Sequence, residues 1–204
     1  MAEVMAVLGS ENDDLYTEII KENLEHRTLI FNDEVNDALI ENYMLYILKW
    51  NREDKDIDPS KRQKITIVLN SPGGDCMIGF GGMVNCIEQS KTPIRVVGIG
   101  LVASMAFHIY IACKERFAYK DTIFLMHDGE QSASSSGGKF KDIARFFDNM
   151  NERTKQHVLK YTKMTEEFYD DHLDREFYMY SDDAQVLGVV DKIIGIDCDI
   201  DELF

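Results

Sequence analysis

"PIRVVGIGLVASMAF", residues 93–107, is the stretch on which the fold turns. Its first eight residues are almost unbroken apolar, which is how a strand reads when both of its faces are covered. From Met105 to Cys113 the pattern becomes helix-like, so one serine, Ser104, stands where a buried strand passes straight into a helix. A strand of this kind feeding a helix belongs to an α/β domain.

Working outward, the same pattern recurs on both sides. Upstream, "ITIVLN" at 65–70 reads as a strand that runs into "SPGGD". A helix from about Asp75 to Ser90 then turns Met77, Phe80, Met83, Val84 and Ile87 toward a core. Further upstream, "DLYTEIIKENLEHR" reads as a short helix and "TLIFND" as a strand. Asn32 or Asp33 caps the helical segment "EVNDALIENYMLYILKW", where Val35, Leu39, Tyr43, Tyr46, Ile47 and Trp50 recur at helical spacing. "NREDKDIDPSKRQK" is a charged loop. Downstream, "TIFLMH" is a strand and "DGEQSASSSGG" a Gly/Ser-rich loop. The longest helix is expected from about Lys139 to Tyr161, with Phe140, Ile143, Phe147, Met150, Thr154, Val158 and Tyr161 in one stripe and Phe146 beside it. Thr165 caps "EEFYDDHL", Ser181 caps the last helix, and "GVVDKIIG" closes as a strand. No internal repeat is found.

The 204 residues suit one domain with a full core, and 45% hydrophobic against 29% charged residues is an ordinary globular balance. The net charge of -15 excludes a nucleic-acid partner, since phosphate contacts need clustered Lys and Arg. Four scattered cysteines, Cys76, Cys86, Cys113 and Cys198, form no Cys-x-x-Cys pair, so neither a disulfide framework nor a zinc site is expected. No cluster has metal-ligand spacing, which points to a metal-free, cofactor-free site. "GGDCMIGFGG" lacks the closing Gly-Lys-Ser/Thr of a phosphate-binding loop. "MAEVMAVLGSENDD" has no basic region ahead of its short apolar run and no segment is long enough to span a bilayer. A cytoplasmic protein without a membrane partner is the expectation.

Three features could carry chemistry: "NSPGGD" at 70–75, "GLVASMA" at 100–106 and "FLMHDGE" at 124–130. Taken singly, the first is an ordinary turn, the second a packed serine and the third a structural histidine. Together they supply the parts of acyl transfer: a nucleophile, a base within reach, and backbone amides aimed at an oxyanion. Ser104 at a helix N-terminus leaves the Met105 amide free to donate. The Gly-Gly turn lets the Gly74 amide approach without a Cβ in the way, and His127 ends a neighbouring strand. His108, one turn past Ser104, is expected to pack or face the surface rather than react.

"LNSPGGD", "GLVASMA" and "LMHDG", followed by a Gly-rich loop, a long helix and "DREFYMYSDDAQVLGVVDKI", resemble the ClpP class of serine peptidases from about Leu15 to Gly195. The resemblance implies a ClpP/crotonase-like α/β fold with a projecting handle helix at about 139–161. It also implies a short N-terminal segment at 1–14, a peptidase domain at 15–195 and an acidic C-terminal tail at 196–204. It makes Ser104 the nucleophile, His127 the base, and Gly74 and Met105 the oxyanion hole. The family's orienting aspartate falls on Glu176, with Asp174 the alternative. The implied partners are further copies of the chain in stacked heptameric rings, a polypeptide substrate and an AAA+ unfoldase. Two other readings stay open: a catalytically weak ClpR-like structural subunit, and a crotonase-type acyl-CoA enzyme, which shares the fold and the Gly-Gly oxyanion turn but does not need the Ser104–His127 pair.

Overall fold

The computed structural model of the chain describes residues 15–129, 132 and 134–204. The N-terminal segment 1–14 and residues 130, 131 and 133 of the Gly/Ser-rich loop lie outside the described residues. Helix α1 (Leu15–Glu25) leads into strand β1 (Thr28–Asn32). Helix α2 combines a π segment, Ile40–Met44, with an α segment, Leu45–Glu53. Strand β2 (Ile65–Ser71) is followed by α3, in which a π segment, Gly79–Val84, separates Cys76–Ile78 from Asn85–Gln89. Then come β3 (Ile94–Ala103), α4 (Met105–Ile111), β4 (Glu115–Tyr119) and β5 (Ile123–Met126). The long α5 (Gly137–Tyr161), α6 (Glu166–His172), β6 (Phe177–Tyr180), α7 (Ser181–Val186) and β7 (Lys192–Ile194) complete the order.

The strands form one sheet in the order β1-β2-β3-β4-β7, parallel throughout. β5 joins β3 in parallel at Leu101–Ala103, and β6 pairs antiparallel with β5. Thus β3 carries β4 beside its first half and β5 beside its second. A bulge permits the change of partner: Leu69 faces Gly98, yet Ser71 faces Val102. Gly100 in the bulge has φ +67, and a Cβ there would lie 2.7 Å from Asn70 Oδ1. That oxygen instead accepts from the Leu101 amide at 2.8 Å, so an asparagine side chain replaces the missing ladder bond.

β2 and β3 are buried along most of their length, and Phe31, Ile47, Ile67, Leu69, Val96 and Phe124 share one core cluster. All seven residues of α4 are buried, the expected state of a helix apolar on every side. On α5, by contrast, only Met150, His157 and Val158 are buried, while Phe140 and Phe146 are exposed. The stripe read from sequence therefore covers the core with its second half alone. Met77, assigned to the core by helical spacing, is exposed as well.

Three local readings change. The helix predicted from Glu34 starts later, because Val35 is held in a parallel bridge with Gly74. Ser181 does not cap α7; its hydroxyl donates to Tyr119 O at 2.7 Å, and Tyr180 is the residue before the helix. Residues 199–204 fold back: Asp199 and Glu202 cap each other across a short 3₁₀ turn, and Leu203 is buried beside Val97 and Phe117. Arg95 donates to the carbonyls of Glu202 and Leu203 and fastens that end to β3. Thr165 caps α6 as read, accepting from the Phe168 amide.

Candidate active site

Ser104 sits between β3 and α4 with φ 53 and ψ -122, a backbone conformation costly for a residue with a Cβ, by about 1–3 kcal/mol. Bonds on both sides hold it there. Its amide donates to Leu125 O at 2.9 Å, and its carbonyl accepts from Phe107 at 3.0 Å. The sharp strand-to-helix turn sets Ser104 at the head of α4, the kind of strained turn on which a serine hydroxyl can be presented for attack.

Gly73 and Gly74 lie against this turn. Gly73 has φ +95, and a Cβ on it would come within 2.6 Å of Ser104 Cβ, so the glycine is required for the approach. Gly74, with φ +143, faces the other way, where an added Cβ would meet Val35 O at 2.3 Å. Val35 donates to Gly73 O and accepts from the Asp75 amide, at 2.8 and 2.7 Å. In such a parallel bridge the flanked residue directs its own N–H away from its partner. The Gly74 amide is thereby turned from Val35 and kept out of the bridge. Met105 opens α4, so its N–H precedes the first intrahelical bond.

The histidine and the acid are brought together by strand register. In the antiparallel pair, Met126 of β5 faces Phe177 of β6. One step further along the same register, His127 stands opposite Glu176. His127 Nδ1 lies 2.9 Å from Glu176 Oε1. A neutral imidazole donating from Nδ1 keeps its lone pair on Nε2. That atom is buried and has no hydrogen-bond partner among the described residues. Asp174 is not at the histidine; it lies 3.8 Å from Arg175, both exposed.

Ser104, Met105 and His127 line one recess, together with Cys76, His108, Met150, Asn151, Thr154, Tyr169 and Leu173. Ser104 and His127 both line this space, and His127 Nε2 forms no hydrogen bond with Ser104. The structure thus joins His127 to Glu176 and leaves Ser104 unjoined to His127.

Sequence reasoning missed two parts of this surround. Val35, read as a helical core residue, is the partner that sets the Gly74 backbone. His108 packs, as one of its two readings had it; what was missed is its partner, His157 of α5, their Nδ1 atoms 3.5 Å apart. Phe80 and Phe107 stand edge-on around His108. Burial pushes both histidines down, His108 to about 3 and His157 to about 4. The placement of His108 four residues after Ser104 was visible in the sequence; its partner 49 residues on was not.

A family model described as Clp protease matches residues 10–197. Among curated proteins, the ATP-dependent Clp protease proteolytic subunit 2 of Bacillus licheniformis is 26% identical over 199 residues, covering 91% of this chain and 93% of the relative. Among solved structures, a single-site mutant of ClpP1 from Listeria monocytogenes superposes with a TM-score of 0.74 at 26% identity, covering 91% of this chain and 99% of that one.

Proposed function

The chain belongs to the Clp protease family, and we propose that it acts as a serine endopeptidase in which Ser104, His127 and Glu176 form the catalytic set. The observation that carries this reading is the buried, unpartnered Nε2 of His127, a residue held by Glu176 through Nδ1 and lining one recess with Ser104. In the proposed reaction, peptide binding brings Ser104 Oγ to His127 Nε2. The hydroxyl attacks the scissile carbonyl as its proton passes to Nε2, and Glu176 stabilises the imidazolium. The amides of Gly74 and Met105 receive the oxyanion. His127 then returns the proton to the leaving amine, and water resolves the acyl-enzyme by the same path.

Phe140 and Phe146 on α5, with Tyr178 and Tyr180 on β6, are large apolar side chains left in solvent by a single copy. This supports assembly with further copies, in line with a ring chamber whose entry decides which polypeptides are cut. The curated relative's ATP-dependent name supports an AAA+ unfoldase as the partner that feeds it.

Labelling with a serine-directed fluorophosphonate tests the reading. Stoichiometric adduct on Ser104 of the assembled protein, absent from Ser104→Ala, is expected; no adduct would refute the peptidase reading. A second reading, a ClpR-like structural subunit in which Ser104 and His127 stay apart, predicts that this labelling fails.

A further inference from the structure

At the end of β3 opposite Ser104, helices α2 and α3 finish beside one another around an open groove of about 400 Å³. Small-ligand sites span about 300–1,000 Å³. Lys55, Arg62 and Lys91 line the groove beside Ile47, Leu48 and Cys86, and no carboxylate of the described residues does. In a chain of net charge -15 this is an unusual concentration of cations.

Arg62 is the buried one, 8% exposed. Its Nε donates to Ile57 O at 2.9 Å and its Nη1 to Thr92 Oγ1 at 3.4 Å, while Nη2 has no acceptor among the described residues. The buried carboxylate of Asp54 feels Arg62 but spends both oxygens elsewhere. Its Oδ1 and Oδ2 accept from Arg27, and Oδ2 accepts from the Thr92 hydroxyl as well. Two guanidinium groups thus share one carboxylate, and a buried charge without its own partner is costly.

The other acids of this loop are placed elsewhere. Glu53 pairs with Lys49, Asp58 caps the turn at Pro59–Lys61, and Asp56 stands in solvent 3.9 Å from Lys55. The carbonyl ends of α2 and α3 each offset about half a positive charge. Against one excess guanidinium and two lysines, that leaves about two positive charges at the groove.

We infer that this groove binds a phosphorylated small molecule, its phosphate seated among Lys55, Arg62 and Lys91 and its organic part along Ile47 and Leu48. A phosphate monoester carries a charge of about −1.5 to −2, close to the excess, whereas a carboxylate offsets half of it. Phosphate oxygens supply the acceptor that Arg62 Nη2 lacks, and the two lysines serve as adjustable point charges. None of these residues lines the recess of Ser104, so the inference stands apart from the peptidase reading.

Calorimetry on the full chain at about 20 mM salt, where surface charge is weakly screened, tests it with phenyl phosphate, inorganic phosphate and benzoate. Phenyl phosphate is expected to bind with a Kd below about 1 mM. Benzoate should bind at least about tenfold more weakly, having one charge to offer, and inorganic phosphate about threefold or more weakly, having no apolar part. Lys55→Gln/Lys91→Gln, at two exposed positions, should weaken phenyl phosphate at least about tenfold with the melting temperature unchanged. Lys139→Gln/Lys141→Gln removes the same charge from exposed positions on α5 and should leave binding as it was. Saturating phenyl phosphate should slow alkylation of the half-buried Cys86 and leave that of Cys76 unchanged. No binding of phenyl phosphate up to about 10 mM overturns the inference. Benzoate or inorganic phosphate binding as tightly, equal losses in the two double variants, or unprotected Cys86 overturn it too. Ser104→Ala should bind phenyl phosphate as the parent does, so a failure of Ser104 labelling bears on the peptidase reading alone.

Discussion

Acidification from about pH 7.5 to about pH 5 is expected to remove about 4 kcal/mol of folding stability through His108 and His157 alone. Both rings are buried, and burial lowers their folded-state values to about 3 and about 4 from an ordinary 6.5. Between those limits the unfolded chain binds more protons than the folded one, so stability falls as pH falls. The contribution is fully kept above about pH 6.5 and stops declining near pH 3–4, where the folded rings themselves become charged. At pH 5 each unfolded histidine lies about 1.5 units above ambient pH, worth about 2 kcal/mol at 1.36 kcal/mol per unit. Two sites give about 4 kcal/mol, a large part of the 5–15 kcal/mol that holds a typical domain. Urea unfolding followed by the fluorescence of Trp50, which is buried and the single tryptophan, measures it at fixed protomer concentration. The double variant His108→Leu/His157→Leu removes the two groups and serves as the reference for every other titrating side chain. A loss on acidification equal in parent and double variant, to within about 1 kcal/mol, would refute the claim that this pair is buried and neutral.

Three further outcomes follow from the same geometry. Glu176→Gln replaces the acceptor 2.9 Å from His127 Nδ1 by an amide that also holds the wrong tautomer, so kcat/KM on an unstructured peptide is expected to fall on the order of 10³–10⁴-fold with the melting temperature unchanged. Gly74→Ala drives a Cβ to 2.3 Å from Val35 O at φ +143; expected are a loss of about 2 kcal/mol or more in urea unfolding and failure of Ser104 labelling, whereas full labelling would show that the turn has slack. Asp54→Ala strands Arg27, which donates to both carboxylate oxygens at 2.6 and 2.9 Å, and removes the acceptor of the Thr92 hydroxyl; about 3–5 kcal/mol should be lost by the same assay.

The central strands were legible because a buried parallel strand leaves a nearly continuous apolar run, as in 94–98, broken only by Arg95, and 65–69, broken only by Thr66. β4 and β6 were not read from pattern. "ERFAY" carries charge at its start because Arg116 lies beside Asp191, and "FYMY" offers Tyr178 and Tyr180 to solvent. Short strands of this kind, β4 between β3 and β7 and β6 at the edge beside β5, are defined by their partners. The missed β6 mattered most, since its register with β5 is what delivers Glu176 to His127. The serine, histidine and glycines could be named from their positions at strand ends. The length of the Ser104–His127 gap could not, because side-chain rotamers leave no trace in spacing. Nor did sequence show that Val35 would leave its helix: a residue with the right periodicity was claimed by a backbone bridge 39 positions away.

The open nucleophile–base gap has a physical reading that favours the peptidase over the structural subunit. Both backbones that carry the reacting groups are fixed. Ser104 is tied to β5 through Leu125 O and braced by Gly73, and the residue after His127 is tied by the Asp128 amide to Leu173 O at 3.0 Å. His127 itself is held by Glu176. Closing the gap by moving a strand would break those bonds, whereas turning Ser104 about χ1 among its staggered positions breaks none of them. The unpartnered Nε2 adds a reason for the turn: leaving a buried acceptor unsatisfied costs about 1–3 kcal/mol, and the serine hydroxyl is a donor lining the same recess. A subunit retained for structure alone would have no need to keep Ser104 at a strained φ, with the base oriented and its acceptor empty beside it. The glutamate in place of an aspartate is then a matter of reach from the residue before β6 to His127 Nδ1.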